Sequence, residues 1–338
     1  MPRCTLVLVK TFHSSGDVIV DRRADYARRL AESGDHMAAA ELIEQALELA
    51  PGWTAGWDLL GSYWEKAGEV ARAISAWRHL EALDDAGVFG AHLKLAAHGA
   101  GLAGEGTSIG YVEALFDQYA PRFESALVQK LAYRVPERLD ALIGEAMAGK
   151  GITAFAEAID LGCGTGLMGE RLRGKVSFLE GVDLSAAMVA ETGRKGIYDR
   201  LTKAELVAFL TAYPSQADLV TAADVFIYCG ALPPVLAAAA RVMRPGALLA
   251  FSLEAHDGPE PQFLRPSLRY AHAPEPTRQA LVDAGLDILC FERAVLRQDR
   301  GEPVEGLLIV AQKPAAAPLA LNLAGEALVV DVEPEALN

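Results

Sequence analysis

Cysteine is scarce in this sequence of 338 residues. The four present, Cys4, Cys163, Cys229 and Cys290, show no metal-ligand or redox spacing. That argues against a disulfide framework and fits a reduced, cytoplasmic setting. An excess of positive charge is also missing: 31 Lys and Arg face 45 Asp and Glu, for a net charge of −14. Such a balance speaks against a general nucleic-acid or anionic-membrane surface, though not against a local basic patch. No uncharged run approaches the roughly 18 residues of a membrane span. The apolar start, Met1 to Val9, is too short for a secretory leader. The alanine-rich stretch Leu232 to Val242 is short and runs into Arg244-Pro245-Gly246, so it reads as a buried helix. No metal-binding motif is evident, and His256 with Asp257 alone is too little to propose one.

What is present divides into two kinds of pattern. Residues from about 20 to 86 repeat with a 34-residue period: Gly34 aligns with Gly68, Ala39 with Ala73 and Ile43 with Trp77. Small residues at such spacing let paired antiparallel helices approach, while large ones fill the groove between neighbours. Leu80 and Asp85 of the second copy depart from the small Ala46 and the closing Pro51 of the first, and a third unit from Val88 to about Gly101 is weak. Two repeats are too few to stand alone, so they are expected to pack on an extra helix or on the next domain. Gly99 to Gly110 holds five glycines and reads as a linker. Tyr111 to Leu127 has helical spacing with Pro121 starting a new turn, and residues 128–148 continue the amphipathic pattern.

From Ala154 to Lys313, short apolar runs alternate with helical stretches, the pattern of a parallel sheet covered on both faces. Within it, Ala158-Ile-Asp-Leu-Gly-Cys-Gly-Thr-Gly166 joins an apolar run, an acid and three alternate glycines. This is a buried strand turning tightly into a helix over Leu167 to Leu172. The glycines permit positive φ and close approach of a ligand to the main chain. Phe178 to Ser185 reads as a second strand ending in Asp183, where an acid of a doubly wound sheet can take both ribose hydroxyls of a nucleotide-like ligand. Ala217 to Tyr228 fits a fourth strand with polar groups at its end. Arg241 to Leu253 fits a helix, a Pro-Gly turn and a fifth strand, and Gly285 to Glu292 with Gly306 to Lys313 suggests a closing pair. The tail, 314–338, reads as loosely ordered, with Ala327 to Val332 able to form an edge strand.

With these motifs in order, residues 110–313 resemble a class I S-adenosylmethionine-dependent methyltransferase. Asp160 to Gly166 looks like its first motif, Asp183 its second-strand acid, and Arg244-Pro-Gly246 the turn before strand five. The repeat, taken as 20–100, resembles tetratricopeptide repeats, so the whole chain is similar to tetratricopeptide-containing methyltransferases. The implied fold is an α/β, doubly wound, Rossmann-like sheet preceded by a helical repeat domain. Phe116 to Phe123 looks like a helix that covers the cofactor. A nicotinamide-dependent dehydrogenase is the competing nucleotide reading, but Gly-x-Gly-x-x-Gly counted from Gly162 meets Leu167 where the third glycine belongs.

The resemblance implies roles for the cofactor S-adenosyl-L-methionine. The backbone of Gly162, Cys163, Gly164, Thr165 and Gly166 packs against it. Asp160 bonds its ammonium or caps the glycine turn. Asp183, followed by Leu184, takes the ribose or caps the next helix. Met188 faces the adenine or belongs to the core. Glu205 or Leu206 lines the adenine or sits on a solvated helix. Asp224 faces the sulfonium edge or the substrate, or caps its loop, and Tyr119 and Phe123 close over the cofactor or pack in the core. Cys163 has no neighbouring histidine and is given no nucleophilic role. For the acceptor, His256 is the first choice of base or substrate contact, against an ordinary loop histidine. Arg265, Arg269, Tyr270 and His272 form a cluster able to hold a carboxylate or phosphate, against ordinary surface charge. The expected reaction is methyl transfer to oxygen or nitrogen of a small molecule. A protein acceptor recruited by the repeats and a non-catalytic scaffold are the alternatives. The repeats serve either as a cap or as a surface for partners or self-association.

Overall fold

The computed structural model describes residues 14–102, 106–120, 123–124, 132–299 and 301–315. The tail beyond residue 315, Cys4, the Met1 to Val9 stretch and Pro121 lie outside them.

Helices α1 (Val18–Glu32), α2 (His36–Leu49), α3 (Thr54–Lys66) and α4 (Val70–Leu83) form two antiparallel pairs, turning at Gly34 and Gly68. Asp17 and Asp35 cap the first two, each side chain accepting from free first-turn amides. The 34-residue correspondences fall in one core: Ala39, Ile43, Ala73 and Trp77 are all buried there with Trp64 and Leu80. The region read as a weak third unit is a single seven-residue helix, α5 (Ala91–Ala97). Its Leu93 is buried with Leu264 and Tyr270 of the sheet domain, so the repeat is closed by one extra helix and by the next domain together.

Ser108 caps α6 (Ile109–Tyr119), so the glycine-rich linker ends sooner than its composition suggests. The amphipathic pattern of 128–148 becomes α7 (Val135–Lys150), and residues 132–134 are not helical. The sheet follows: β1 (Phe155–Leu161), α8 (Leu167–Leu172), β2 (Val176–Asp183), α9 (Ala186–Lys195), β3 (Arg200–Lys203), α10 (Leu206–Ala212), β4 (Ala217–Ala222), α11 (Pro233–Val242) and β5 (Met243–Ala255). Strands β3-β2-β1-β4-β5 lie side by side and parallel. Consecutive residues of the central strands enter opposite cores. Ala158, Leu219 and Leu248 pack with α7, and Ile159, Val220 and Leu249 pack with α11. This two-sided burial explains the unbroken apolar runs.

Two elements depart from expectation. Arg244-Pro-Gly246 lies inside β5, not in a turn before it. The register with β4 jumps from Ala217↔Met243 to Leu219↔Leu248, leaving these residues as a bulge. The cluster at residues 265–272, which has no strand pattern in the sequence, lies on a hairpin of β6 (Gln262–Leu264) and β7 (Tyr270–His272), whose β7 runs parallel to the end of β5. After α12 (Pro274–Asp283), the closing pair is longer than its apolar segments. Here β8 (Asp287–Asp299) pairs with β9 (Glu302–Gln312), which lies antiparallel on β5.

Candidate active site

The strand ends of the parallel sheet gather two groups of side chains. At the first, β1 leaves the sheet through Gly162, Gly164 and Gly166, with φ of +58°, +53° and +91°. A side chain at Gly162 is excluded twice over, by its φ and by Val225, whose methyl would lie 2.5 Å from a Cβ. Asp183, at the tip of β2, holds this turn: one carboxylate oxygen accepts from Gly164 N at 2.8 Å and the other from Ser185 N at 2.8 Å. Burial raises its pKa, and these amide bonds oppose the rise. Thr192 donates to Gly164 O from α9, fixing the same peptide from the other side. Thr165 Oγ, buried in the turn, has no partner among the described residues.

Asp160 does not cap the turn. Its two oxygens accept from Tyr198 Oη at 2.6 Å and Thr221 Oγ at 2.7 Å, and it is 1 % exposed. Burial pushes its pKa up to about 6 against those two hydrogen bonds, with the charge of Asp183 adding to the rise. No local pattern marks Tyr198 in the sequence; its slot is set by glycines on other elements. Gly169 and Gly181 both face its ring, and a Cβ at Gly181 would come within 2.9 Å of it. Gly169 also completes the spacing Gly164-x-Gly166-x-x-Gly169, so the dehydrogenase pattern does occur one step along, and glycine spacing alone does not separate the two cofactors.

Ser185, not Asp183, caps α9, accepting from Met188 N. Met188 is fully buried and belongs to the core, while Leu184 is partly exposed beside Asp183. Cys163 is buried, its amide donates to Val182 O, and burial raises its thiol pKa well above the ordinary value, in keeping with no nucleophilic role. Glu205 is the cap of α10: its two oxygens accept from Val207 N and Ala208 N. Leu206 starts that helix and packs on the core, so the pair is less open than the adenine-lining expectation requires. The strand before it, β3, was not foreseen because it is short, partly charged and at the sheet edge.

Helix α6 lies across this end. Its Asp117 accepts from Ser185 Oγ at 2.5 Å and Ala187 N at 3.2 Å, and Glu113 pairs with Lys203 at 2.5 Å. Phe123 sits over Gly164, 3.6 Å from where a Cβ would be, and packs edge-on against Tyr119 and Phe116. Phe116 in turn meets Tyr228, ring centroids 5.4 Å apart. Phe123, beyond the end of α6, thus lies at the glycine turn, and Tyr119 of α6 reaches it through the Phe123 ring.

The second group lies at the ends of β4, β5 and β8. Asp224 has a positive φ of +57° and receives Ser252 Oγ at 2.9 Å and Arg297 at 2.6 Å. Arg297 is 3 % exposed and also pairs with Glu254, which lies 3.1 Å from Arg265 Nε. Asp224 is therefore tied into a buried charge network, which leaves it little scope as a base. Arg265, paired to Glu254 and donating to Ala255 O at 2.6 Å, is structural rather than a substrate contact. Tyr270 is buried against Leu93 and Leu264, again in place of an exposed role. His272 is buried with Nε2 facing Gly230 O at 3.3 Å, and burial lowers its pKa to about 4. His256 accepts from Gly258 N at 3.1 Å, leaving its buried Nε2 without a partner among the described residues. Arg269 keeps its place near the aromatic wall, donating to Tyr228 Oη at 3.4 Å.

Known proteins resemble this part of the chain. Residues 159–251 match the family described as methyltransferase domain. A malonyl-[acyl-carrier protein] O-methyltransferase of Enterobacter lignolyticus is 31% identical over 148 residues, covering 43% of this chain and 54% of the relative. A ubiquinone biosynthesis O-methyltransferase of Thiobacillus denitrificans is 31% identical over 106 residues, 29% of this chain and 44% of the relative. The chain spans about half the length of the curated relatives it matches. Among solved structures, magnesium protoporphyrin IX methyltransferase from Synechocystis PCC 6803 has 18% identity over 59% of this chain and 84% of its own, at a TM-score of 0.40. An S-adenosylmethionine-dependent methyltransferase from Clostridium acetobutylicum has 18% identity over 58% and 98%, at 0.45. Residues 159–251 thus carry a methyltransferase domain.

Proposed function

We propose that this chain is an enzyme that transfers a methyl group from S-adenosyl-L-methionine to an oxygen or nitrogen of a small-molecule acceptor. The observation that carries the reading is the tie between Asp183 and Gly164, which sets a carboxylate against a glycine turn whose Thr165 hydroxyl is buried and unpartnered among the described residues. Those features fit a nucleoside bearing an amino-acid tail. Asp183 retains lone pairs for ribose hydroxyls, and the turn offers close main-chain approach. Thr165 and the turn amides face the polar tail. Asp160 acts at one remove, holding Tyr198 and Thr221 behind the turn. Bound there, S-adenosylmethionine supplies an electrophilic methyl on a sulfonium.

The remaining work falls to this chain's side chains: placing the acceptor in line and excluding water. Phe116, Tyr119 and Phe123 cover the turn and serve the second task. His256, whose Nδ1 accepts from Gly258 N and whose unpartnered Nε2 therefore carries the proton, is the residue we assign to acceptor contact, as a donor and not as the base. Both curated relatives are named for oxygen acceptors, which favours oxygen. We assign the helical region to the tetratricopeptide type, with the division 20–100 and 110–313, and read its first role as a cap closed by α5. The test is incubation with methyl-labelled S-adenosylmethionine in a fractionated extract, followed by mass spectrometry. Label in a small molecule together with S-adenosylhomocysteine is expected. Label in protein alone, or no turnover, would contradict the proposal.

A further inference from the structure

The second cluster contains three arginines with different surroundings. Arg297 is matched by Asp224 and Glu254, and Arg265 by Glu254 and the Ala255 carbonyl. Arg269 has no carboxylate within ion-pair distance among the described residues. Its hydrogen-bond partner there is the phenol of Tyr228, at 3.4 Å. It is partly buried, at the mouth of the β6–β7 hairpin, where the main chain fixes it: Arg265 N donates to Arg269 O at 2.9 Å across a turn with Leu268 at φ +59°. The nearby carboxylates Asp224 and Glu254 are already paired to Arg297 and Arg265, so the Arg269 guanidinium, partly withdrawn from water, keeps donors to spare, and its fork suits a planar oxyanion.

Its position relative to the glycine turn is equally informative. From Gly164, the rings of Phe123, Phe116 and Tyr228 form an unbroken run, each in edge contact with the next, and Tyr228 ends it at Arg269. Tyr111 and Tyr119 lie close enough for their phenols to interact with the arginine charge, and burial keeps both protonated and able to donate. Asp224 and Glu254 are offset by Arg297 and Arg265, so Arg269 leaves this cluster with a single surplus positive charge, which a monoanion matches and a dianion exceeds. We propose that Arg269 is the specificity-determining residue of the acceptor site, and that the acceptor is an apolar or aromatic molecule bearing a carboxylate, its body on Phe116 and Phe123 and its carboxylate on Arg269. This rests on the methyl-transfer reading of the same site. It narrows the basic cluster of the sequence to one residue and the anion to a monoanion.

The test is calorimetric titration of the full chain, with and without saturating S-adenosylhomocysteine, using 2-naphthoate, 2-naphthamide and 2-naphthyl phosphate as probes. The acid is expected to bind about ten-fold or more tightly than the amide, the scale of a charge-assisted pair, and more tightly than the phosphate. Arg269→Gln should abolish the preference for the acid, Arg269→Lys should keep part of it, and both should leave S-adenosylhomocysteine affinity unchanged. That last value also reports that the variants are folded. Equal or absent binding of acid and amide overturns the proposal. So does preference for the phosphate, or a loss of S-adenosylhomocysteine affinity in Arg269→Gln, which would make Arg269 a cofactor ligand. If the wild type takes no S-adenosylhomocysteine, the methyl-transfer reading fails, while the acid-over-amide comparison in the unloaded protein still decides the role of Arg269.

Discussion

The two ends of the strand row are built by different means. Around Gly162–Gly166 the site is mostly main chain, secured from the neighbouring strand and the helix after it: Asp183 of β2 reaches back 19 residues to Gly164, and Thr192 of α9 reaches back 28. Around Asp224 it is side chain on side chain, with Arg297 reaching 73 residues back to Asp224 and 43 to Glu254. A backbone turn places a ligand whose shape is fixed. A buried charge network holds its shape only while each charge keeps its partner, so it fixes its members in place and leaves Arg269 at its edge as the one without a carboxylate among the described residues. The first end carries the cofactor reading, the second the acceptor reading.

Perturbing each end should break this contrast in measurable ways, and the largest effect is expected at the second. Arg297→Met strands the buried Asp224 and Glu254 without a counter-charge. It should cost about 3–5 kcal/mol of stability in urea unfolding, the scale of a broken buried pair. A loss under 1 kcal/mol would mean that water reaches the network.

Next come two opposed pH dependences. Asp160 is raised from an ordinary 3.8 to about 6, so the unfolded chain releases its proton first and stability falls as pH rises from about 4 to about 6. His272 is lowered from 6.5 to about 4, so the unfolded chain takes its proton first and stability falls as pH drops from about 6.5 to about 4. Each shift corresponds to about 3 kcal/mol at full extent. Relative to the wild type, Asp160→Asn should therefore gain stability with rising pH, and His272→Gln should lose it. Unfolding free energies across that window check both signs.

Asp183→Ala should weaken S-adenosylmethionine binding by about 1–3 kcal/mol in calorimetry while the fold persists. Unchanged affinity in a folded variant removes Asp183 from the site. The smallest effect is expected for Ser185→Ala, which deletes the cap of α9 and the bond to Asp117. About 1 kcal/mol of stability should be lost, with a modest fall in cofactor affinity as α6 loosens.

The same contrast explains what the sequence disclosed. The glycine turn, the acid at the end of β2 and the alternating burial of the central strands are local patterns, so they could be read directly. The 34-residue correspondences likewise fell on buried, paired helices. Tyr198, Arg297 and the β6–β7 hairpin could not be read so. Tyr198 matters through a slot between two glycines on other elements. Arg297 lies on a strand whose partly exposed pattern looks like surface, and the hairpin pairs only with the last residues of β5. Glu205, Arg265 and Tyr270 had suitable chemistry, but caps, ion pairs and core packing had already taken them.

The central claim is that the Asp183-braced turn takes a sulfonium nucleoside. Calorimetric titration of the full chain with S-adenosylmethionine and, separately, with a nicotinamide dinucleotide tests it most directly. One site filled by S-adenosylmethionine and no heat from the dinucleotide is the predicted result. Binding of the dinucleotide with none of S-adenosylmethionine would contradict it.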